Sequence, residues 1–161
     1  MAGGGHWLAV GTSEGGNPDT SYSCGVRDDG RLFCWGGGSW GHLGDGADGG
    51  RAPAPQQVGD AADWVTVSVG AARACALDAA GELWCWGRND DGGLGIGTAD
   101  GLVHAPERVG AERAWSAVSV SSHTCATATD GTLWCWGWGE GGELGDGSAW
   151  RLVPTQVTFG L

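Results

Sequence analysis

Three times in this 161-residue chain two cysteines stand ten positions apart, and a tryptophan follows the second at once. The windows run from Cys24 to Cys34 and Trp35, from Cys75 to Cys85 and Trp86, and from Cys125 to Cys135 and Trp136. Successive copies start 51 and 50 residues apart. A fixed period of this size marks an architecture in which one supersecondary unit stacks on its neighbours. The periodicity reaches beyond the cysteines. A Trp-x-x-Val precedes each window (Trp7/Val10, Trp64/Val67, Trp115/Val118), and Leu-Gly-x-Gly follows it, starting at Leu43, Leu94 and Leu144. Pro-x-x-Val then closes each unit (Pro55/Val58, Pro106/Val109, Pro154/Val157). The units divide as 6–60, 61–110 and 111–161, after a start at 1–5 read as appended or disordered.

Inside each window an Asp-Gly or Ala-Gly step (Asp29-Gly30, Ala80-Gly81, Asp130-Gly131) separates short runs of apolar residues, a strong local hairpin signal. A three-residue loop ending in a left-handed glycine pairs residues 77 with 83 and 76 with 84. Cys75 then faces Cys85 across the hairpin. Three readings of the cysteines compete: local bridges Cys24–Cys34, Cys75–Cys85 and Cys125–Cys135; reduced core cysteines; and metal ligation. The register favours the bridges. Metal ligation lacks paired Cys-x-x-Cys or histidine spacing. Bridges in turn imply an oxidising compartment, extracellular or periplasmic.

On the second strand of each hairpin, tryptophan and cysteine alternate, as in Trp84-Cys85-Trp86. Tryptophans therefore point to one face, and cysteine with the preceding leucine to the other. A sheet apolar on both faces has to lie between other sheets, as in a radial stack.

Composition alone would mislead. Leu, Ile, Val and Phe make up only 26 residues and the net charge is −11, a profile that ordinarily signals disorder. Here 11 Trp and 6 Cys supply the apolar burial instead. With eight Arg, no Lys and no basic stripe, the chain is a poor ligand for nucleic acid. No apolar run is long enough to insert in a membrane.

These motifs resemble the regulator-of-chromosome-condensation (RCC-type) repeat family. The third unit is nearest to that pattern, through His123-Thr124-Cys125-Ala126 and Leu144-Gly145-Asp146-Gly147. The resemblance implies an all-β fold of three propeller blades, each of about four antiparallel strands, forming part of a ring or of a multi-chain assembly. In the second unit the strands are expected near 64–69, 72–78, 82–87 and 106–109. The family's members include a chromatin-docked nucleotide-exchange factor, a plant ultraviolet-B photoreceptor and secreted bacterial proteins with cysteine-bearing blades. Acidity and paired cysteines argue against the first role. The absence of a tryptophan from Gly70 to Ala74 and from Val120 to Thr124 argues against the second. The third group is nearest in character, and some of its members bind an enzyme through the propeller face.

No nucleophile, base and orienting group stand together in the repeat pattern, so no enzyme, cofactor or metal site is expected. His123 reads as a structural blade histidine, and Asp45 and Asp146 as turn stabilisers. The departures from the repeat are more informative for binding. Trp40, Trp138 and Trp150 have no aromatic counterparts in the other units and form the candidate interface. The first unit also carries an insertion at 11–20, polar and rich in turn residues, and loops on rigid scaffolds commonly carry recognition. The function expected is a secreted, non-enzymatic protein-binding or scaffolding module. The alternative is a self-assembling protein whose blades complete a ring or fibre with other copies. Phe33 and Trp35 in the first unit, and Trp134 and Trp136 in the third, mark both ends as uncapped. Homo-oligomers or additional blades are the expected remedy, with a protein as the further ligand.

Overall fold

Each cysteine window folds as an antiparallel hairpin in the register derived above. Cys24, Cys75 and Cys125 pair directly with Cys34, Cys85 and Cys135, at Cα separations of 4.1 Å, and all three pairs are disulfides. The computed structural model describes residues 5–13 and 16–158. In the second unit Ala76 faces Trp84 and Leu77 faces Leu83. The hairpin loop closes with the N–H of Gly81 donating to the carbonyl of Asp78, and Gly81 has a φ of +77°.

Twelve strands form three four-stranded sheets. The first blade contains β1 (Trp7–Thr12), β2 (Tyr22–Arg27), β3 (Leu32–Gly37) and β4 (Arg51–Gln57). The second contains β5 (Trp64–Val69), β6 (Arg73–Asp78), β7 (Leu83–Arg88) and β8 (Leu102–Val109). The third contains β9 (Trp115–Val120), β10 (His123–Ala128), β11 (Leu133–Trp138) and β12 (Trp150–Gln156). Every sheet is a plain antiparallel meander in chain order. The fourth strand of the middle blade starts at Leu102, four residues ahead of the expected start, because Leu102 and Val103 pair with Arg88 and Gly87 across a register shift.

The core lies between the sheets and has a direction. Tyr22, Cys24, Val26, Leu32 and Cys34 of the first blade pack on Trp64, Val67, Ala74, Ala76 and Trp86 of the second. Cys75, Leu77, Leu83 and Cys85 of the second then pack on Trp115, Val120, Ala126 and Trp136 of the third. So the cysteine face of each blade meets the tryptophan face of the next. Trp86 and Trp136 are fully buried. Backbone bonds repeat at each junction: Trp64 N donates to Gly30 O (2.9 Å), and Trp115 N to Gly81 O (2.8 Å). The first strands β1, β5 and β9 are in contact from blade to blade.

This polarity corrects one expectation. Trp134 and Trp136 do not leave the third blade open, because they face the middle blade. The third blade's open face is the opposite one, carrying Cys125, Thr127 and Leu133. At the other end, the tryptophan face of the first blade is open. Trp7, Val10, Trp35 and Pro55 line a shallow cleft there, with Trp7 and Val10 exposed.

The expected insertion at 11–20 overlaps β1, which continues through Thr12. Residues 14–15 of that insertion, and residues 1–4 of the expected appended start, lie outside the described residues. A turn at Asn17 accepts hydrogen bonds from the backbone N–H groups of Thr20 and Ser21. Asp19 also accepts from Arg51, its Oδ1 lying 2.6 Å from Nη2. The turn's backbone at Pro18–Asp19 lies against Gly37, in space that a side chain at that position would need.

Candidate functional site

The three tryptophans that stood outside the repeat do not come together. Trp40 lies on the loop after β3 and is half-buried. There it packs edge-on to His42, with ring centroids 6.3 Å apart, and carries the Arg88 guanidinium of the next blade 5.6 Å from its centroid. Trp40 is thus a contact between the first two blades. Trp138 and Trp150, by contrast, are direct cross-strand partners at the end of β11 and the start of β12. They are 43% and 60% exposed, which is far more than blade packing leaves to Trp86 or Trp136.

Trp138 and Trp150 form one wall of a cleft of about 400 Å³, shared with Leu152 of the same blade and with Asp90, Asp91 and Ala99 of the blade before it. Strand pairing explains the wall, since opposed residues on neighbouring strands stand side by side on one face. The opposite wall is the loop after β7, held by hydrogen bonds from Asn89. Its side-chain amide donates to Thr98 O at 3.0 Å, and its side-chain oxygen accepts from Leu94 N at 3.1 Å. Asp91 is fixed by the N–H of Gly93 on Oδ1 (2.9 Å) and by buried Arg73 on Oδ2 (2.7 Å). Asp90 is exposed and accepts from Arg88 Nε at 2.7 Å. The cleft therefore combines two indoles, a leucine and an acidic rim.

Of the tryptophans outside the repeat, Trp138 and Trp150 line this cleft together, and its other lining residues, Asp90, Asp91, Ala99 and Leu152, were not among the sequence candidates. The available signal was the counterpart series itself: the positions of Trp40 and Arg88 in one junction are those of Asp91 and Trp138 in the next. The other candidates behave as frame. Asp45 Oδ1 accepts from Ala47 N, and Asp146 accepts from Ser148 N and Arg151 Nε, so both carboxylates stabilise their turns. The Ser148 N–H, with Arg151 beside it, holds the Asp146 carboxyl below the usual carboxylate range. His42 is fully buried, with Nε2 2.6 Å from Gly37 O and the ring stacked 4.1 Å from Tyr22. Burial pushes its pKa down. His123 pairs across the sheet with Gly137.

Comparison with known proteins follows the same repeat. A model of the regulator of chromosome condensation (RCC1) repeat matches residues 29–77 and 80–127, and a second model of that repeat matches 64–92 and 117–143. The human E3 ubiquitin-protein ligase HERC2 is 34% identical over 86 residues, covering 51% of this chain and 2% of that protein. Human WBSCR16 superposes with a TM-score of 0.80 at 23% identity, over 98% of this chain and 41% of its own. Prp20p from Saccharomyces cerevisiae superposes with a TM-score of 0.79 at 22% identity, over 92% and 38% respectively. This chain thus spans less than half the length of each of these relatives. By its repeat motifs and by the blades they form, the chain belongs to the regulator of chromosome condensation (RCC1) repeat family.

Proposed function

We propose that this chain is a non-enzymatic protein-binding module of an oxidising compartment, extracellular or periplasmic, and that Trp138 and Trp150 anchor its ligand. The observation that carries this reading is the cleft they share. Two large indoles are held in the open on paired strands, where neither the hairpin nor the blade junction requires them. Rigid aromatic anchors in such a setting are typical of binding hot spots. Related propellers support the same reading: yeast Prp20p is described with its binding properties to Gsp1p and histones, and yeast RCC1 (Prp20) is seen with Kap60 bound. Three disulfides in one small chain support the compartment. A charge of −11 disfavours phosphate backbones. No helix among the described residues is long and apolar enough to cross a membrane. The reading assigns no catalytic group, cofactor or metal, and it takes 6–60, 61–110 and 111–161 as the blades.

The test is comparative capture from an extracellular or periplasmic extract, using the disulfide-bonded chain and its Trp138→Ala/Trp150→Ala variant. A partner retained by the first and lost by the second, with both folded, is the expected result. Identical capture by the two would remove the anchor.

A second reading, assembly with further blades, rests on a different observation. The open tryptophan face of the first blade and the open cysteine face of the third are the two halves of a junction that the chain already makes twice.

A further inference from the structure

The two blade junctions differ at one spot, and the difference has a chemical direction. In the first junction, the loop position is Trp40 and the strand-end position is Arg88. The guanidinium lies over the indole, and its Nε donates to Asp90. A cation is thus held between an aromatic ring and a carboxylate. In the second junction the loop position is Asp91 and the strand-end position is Trp138, with Trp150 beside it. Carboxylate and indole have exchanged sides, and no cationic side chain lines the space between them. Arg73 offsets the charge of Asp91 from behind, and Arg151 is engaged by Asp146. Asp90 Oδ2 is taken by Arg88 at 2.7 Å, while Oδ1 has no hydrogen bond among the described residues.

We infer that the Trp138–Trp150 cleft binds an arginine side chain of a partner protein, the guanidinium lying on the indoles and forking towards Asp90. This inference rests on the protein-binding reading and names its ligand chemistry. A guanidinium is weakly hydrated, stacks on aromatic faces and donates in a planar fork, whereas an ammonium does only part of this. The fold already seats guanidinium groups on aromatic rings, with Arg88 on Trp40, Arg27 on Phe33 and Arg113 on Trp134, the last 3.6 Å from the centroid; with no lysine in the chain, these contacts show the geometry and not a preference over ammonium. The net charge of −11 also favours the approach of a basic segment.

The experiment follows the indole Nε1–H NMR signals of Trp138 and Trp150 during titration with N-acetyl-arginine amide. N-acetyl-citrulline amide serves as the neutral isostere and N-acetyl-lysine amide as the second cation. Arginine should move both signals, with binding about fivefold weaker for citrulline and intermediate for lysine. Trp138→Ala and Trp150→Ala should each weaken arginine binding by about threefold to tenfold. Asp90→Asn should weaken it and reduce its salt dependence. Equal binding of arginine and citrulline would overturn the cation assignment, as would arginine binding indifferent to both tryptophan variants. Movement of the same signals with protein concentration alone would give the cleft to a second copy, and would overturn the inference too. If arginine leaves both indoles unmoved while partner capture still needs Trp138 and Trp150, the inference fails and the protein-binding reading stands. If arginine binds but capture ignores both tryptophans, the protein-binding reading fails, and with it the assignment of that arginine to a partner protein.

Discussion

At the scale of single residues, His42 shows how a position off the repeat becomes part of the frame. Its counterparts are Gly93 and Glu143, so no periodic signal marks it. The imidazole is buried on Tyr22 and bonded through Nε2 to the Gly37 carbonyl, which makes Nε2 the protonated nitrogen of a neutral ring. Burial lowers its pKa below the ordinary histidine value. Above about pH 6.5 both folded and unfolded chains hold the ring neutral, and its contribution is complete. As pH falls below that value the unfolded chain takes up a proton that the folded chain resists, and stability declines. Denaturant midpoints should therefore drop between pH 7 and pH 5, and His42→Gln should flatten that slope. An unchanged slope in the variant would assign the pH dependence elsewhere.

At the scale of the element, the Leu-Gly-x-Gly loop after each hairpin acts on the blade that follows. Gly44 and Gly95 have φ values of +69° and +74°, and a Cβ at either would fall 2.7 or 2.5 Å from Nε1 of Trp86 or Trp136. Trp86 uses that nitrogen to reach His42 O at 3.0 Å. Gly145 has the same backbone, with a φ of +68°, but meets only a methyl group of the partly buried Val157 side chain, at 3.0 Å. Alanine at either Gly95 or Gly145 costs roughly 1 kcal/mol for its left-handed backbone. Gly95→Ala should cost about 1–3 kcal/mol more, since it overpacks a fully buried indole. Equal losses for the two variants in chemical unfolding would show that the loop does not set blade spacing. Among the described residues, no tryptophan packs on Gly145 of the third blade.

The whole molecule is a stack with two unlike ends. Trp35 corresponds to Trp86 and Trp136, yet it lines an open cleft, while Gly145 corresponds to the glycines under those two rings. A junction between unlike faces is heterologous, so repeating it closes a ring or runs on as a filament. If the ends meet between copies, the chain should self-associate in sedimentation as concentration rises. Trp35→Glu blocks one end and Leu133→Glu the other; Leu133 is 39% exposed, whereas Trp35 also packs on Trp7 and the first core, so circular dichroism must show each variant folded. Each variant alone should stay monomeric, and an equimolar mixture should form a dimer through the one intact pair of faces. A wild-type chain that stays monomeric at high concentration would sink the assembly reading for these 161 residues.

Spacing and residue type determined the hairpins, the cysteine register and the two apolar faces, because a strand has a period of two and a turn of fixed length has one register. The direction of stacking was not legible. Each blade presents a tryptophan face and a cysteine face, and nothing local says which one meets the neighbour, so the third blade's open side was misassigned. The cleft was half legible: Trp138 and Trp150 stood out against the repeat, but Asp90, Asp91 and Ala99 come from another blade. Their approach depends on the stack, as does the separation of Trp40 from the other two tryptophans. Local pattern sets what each blade is; only packing between blades decides which faces remain to bind.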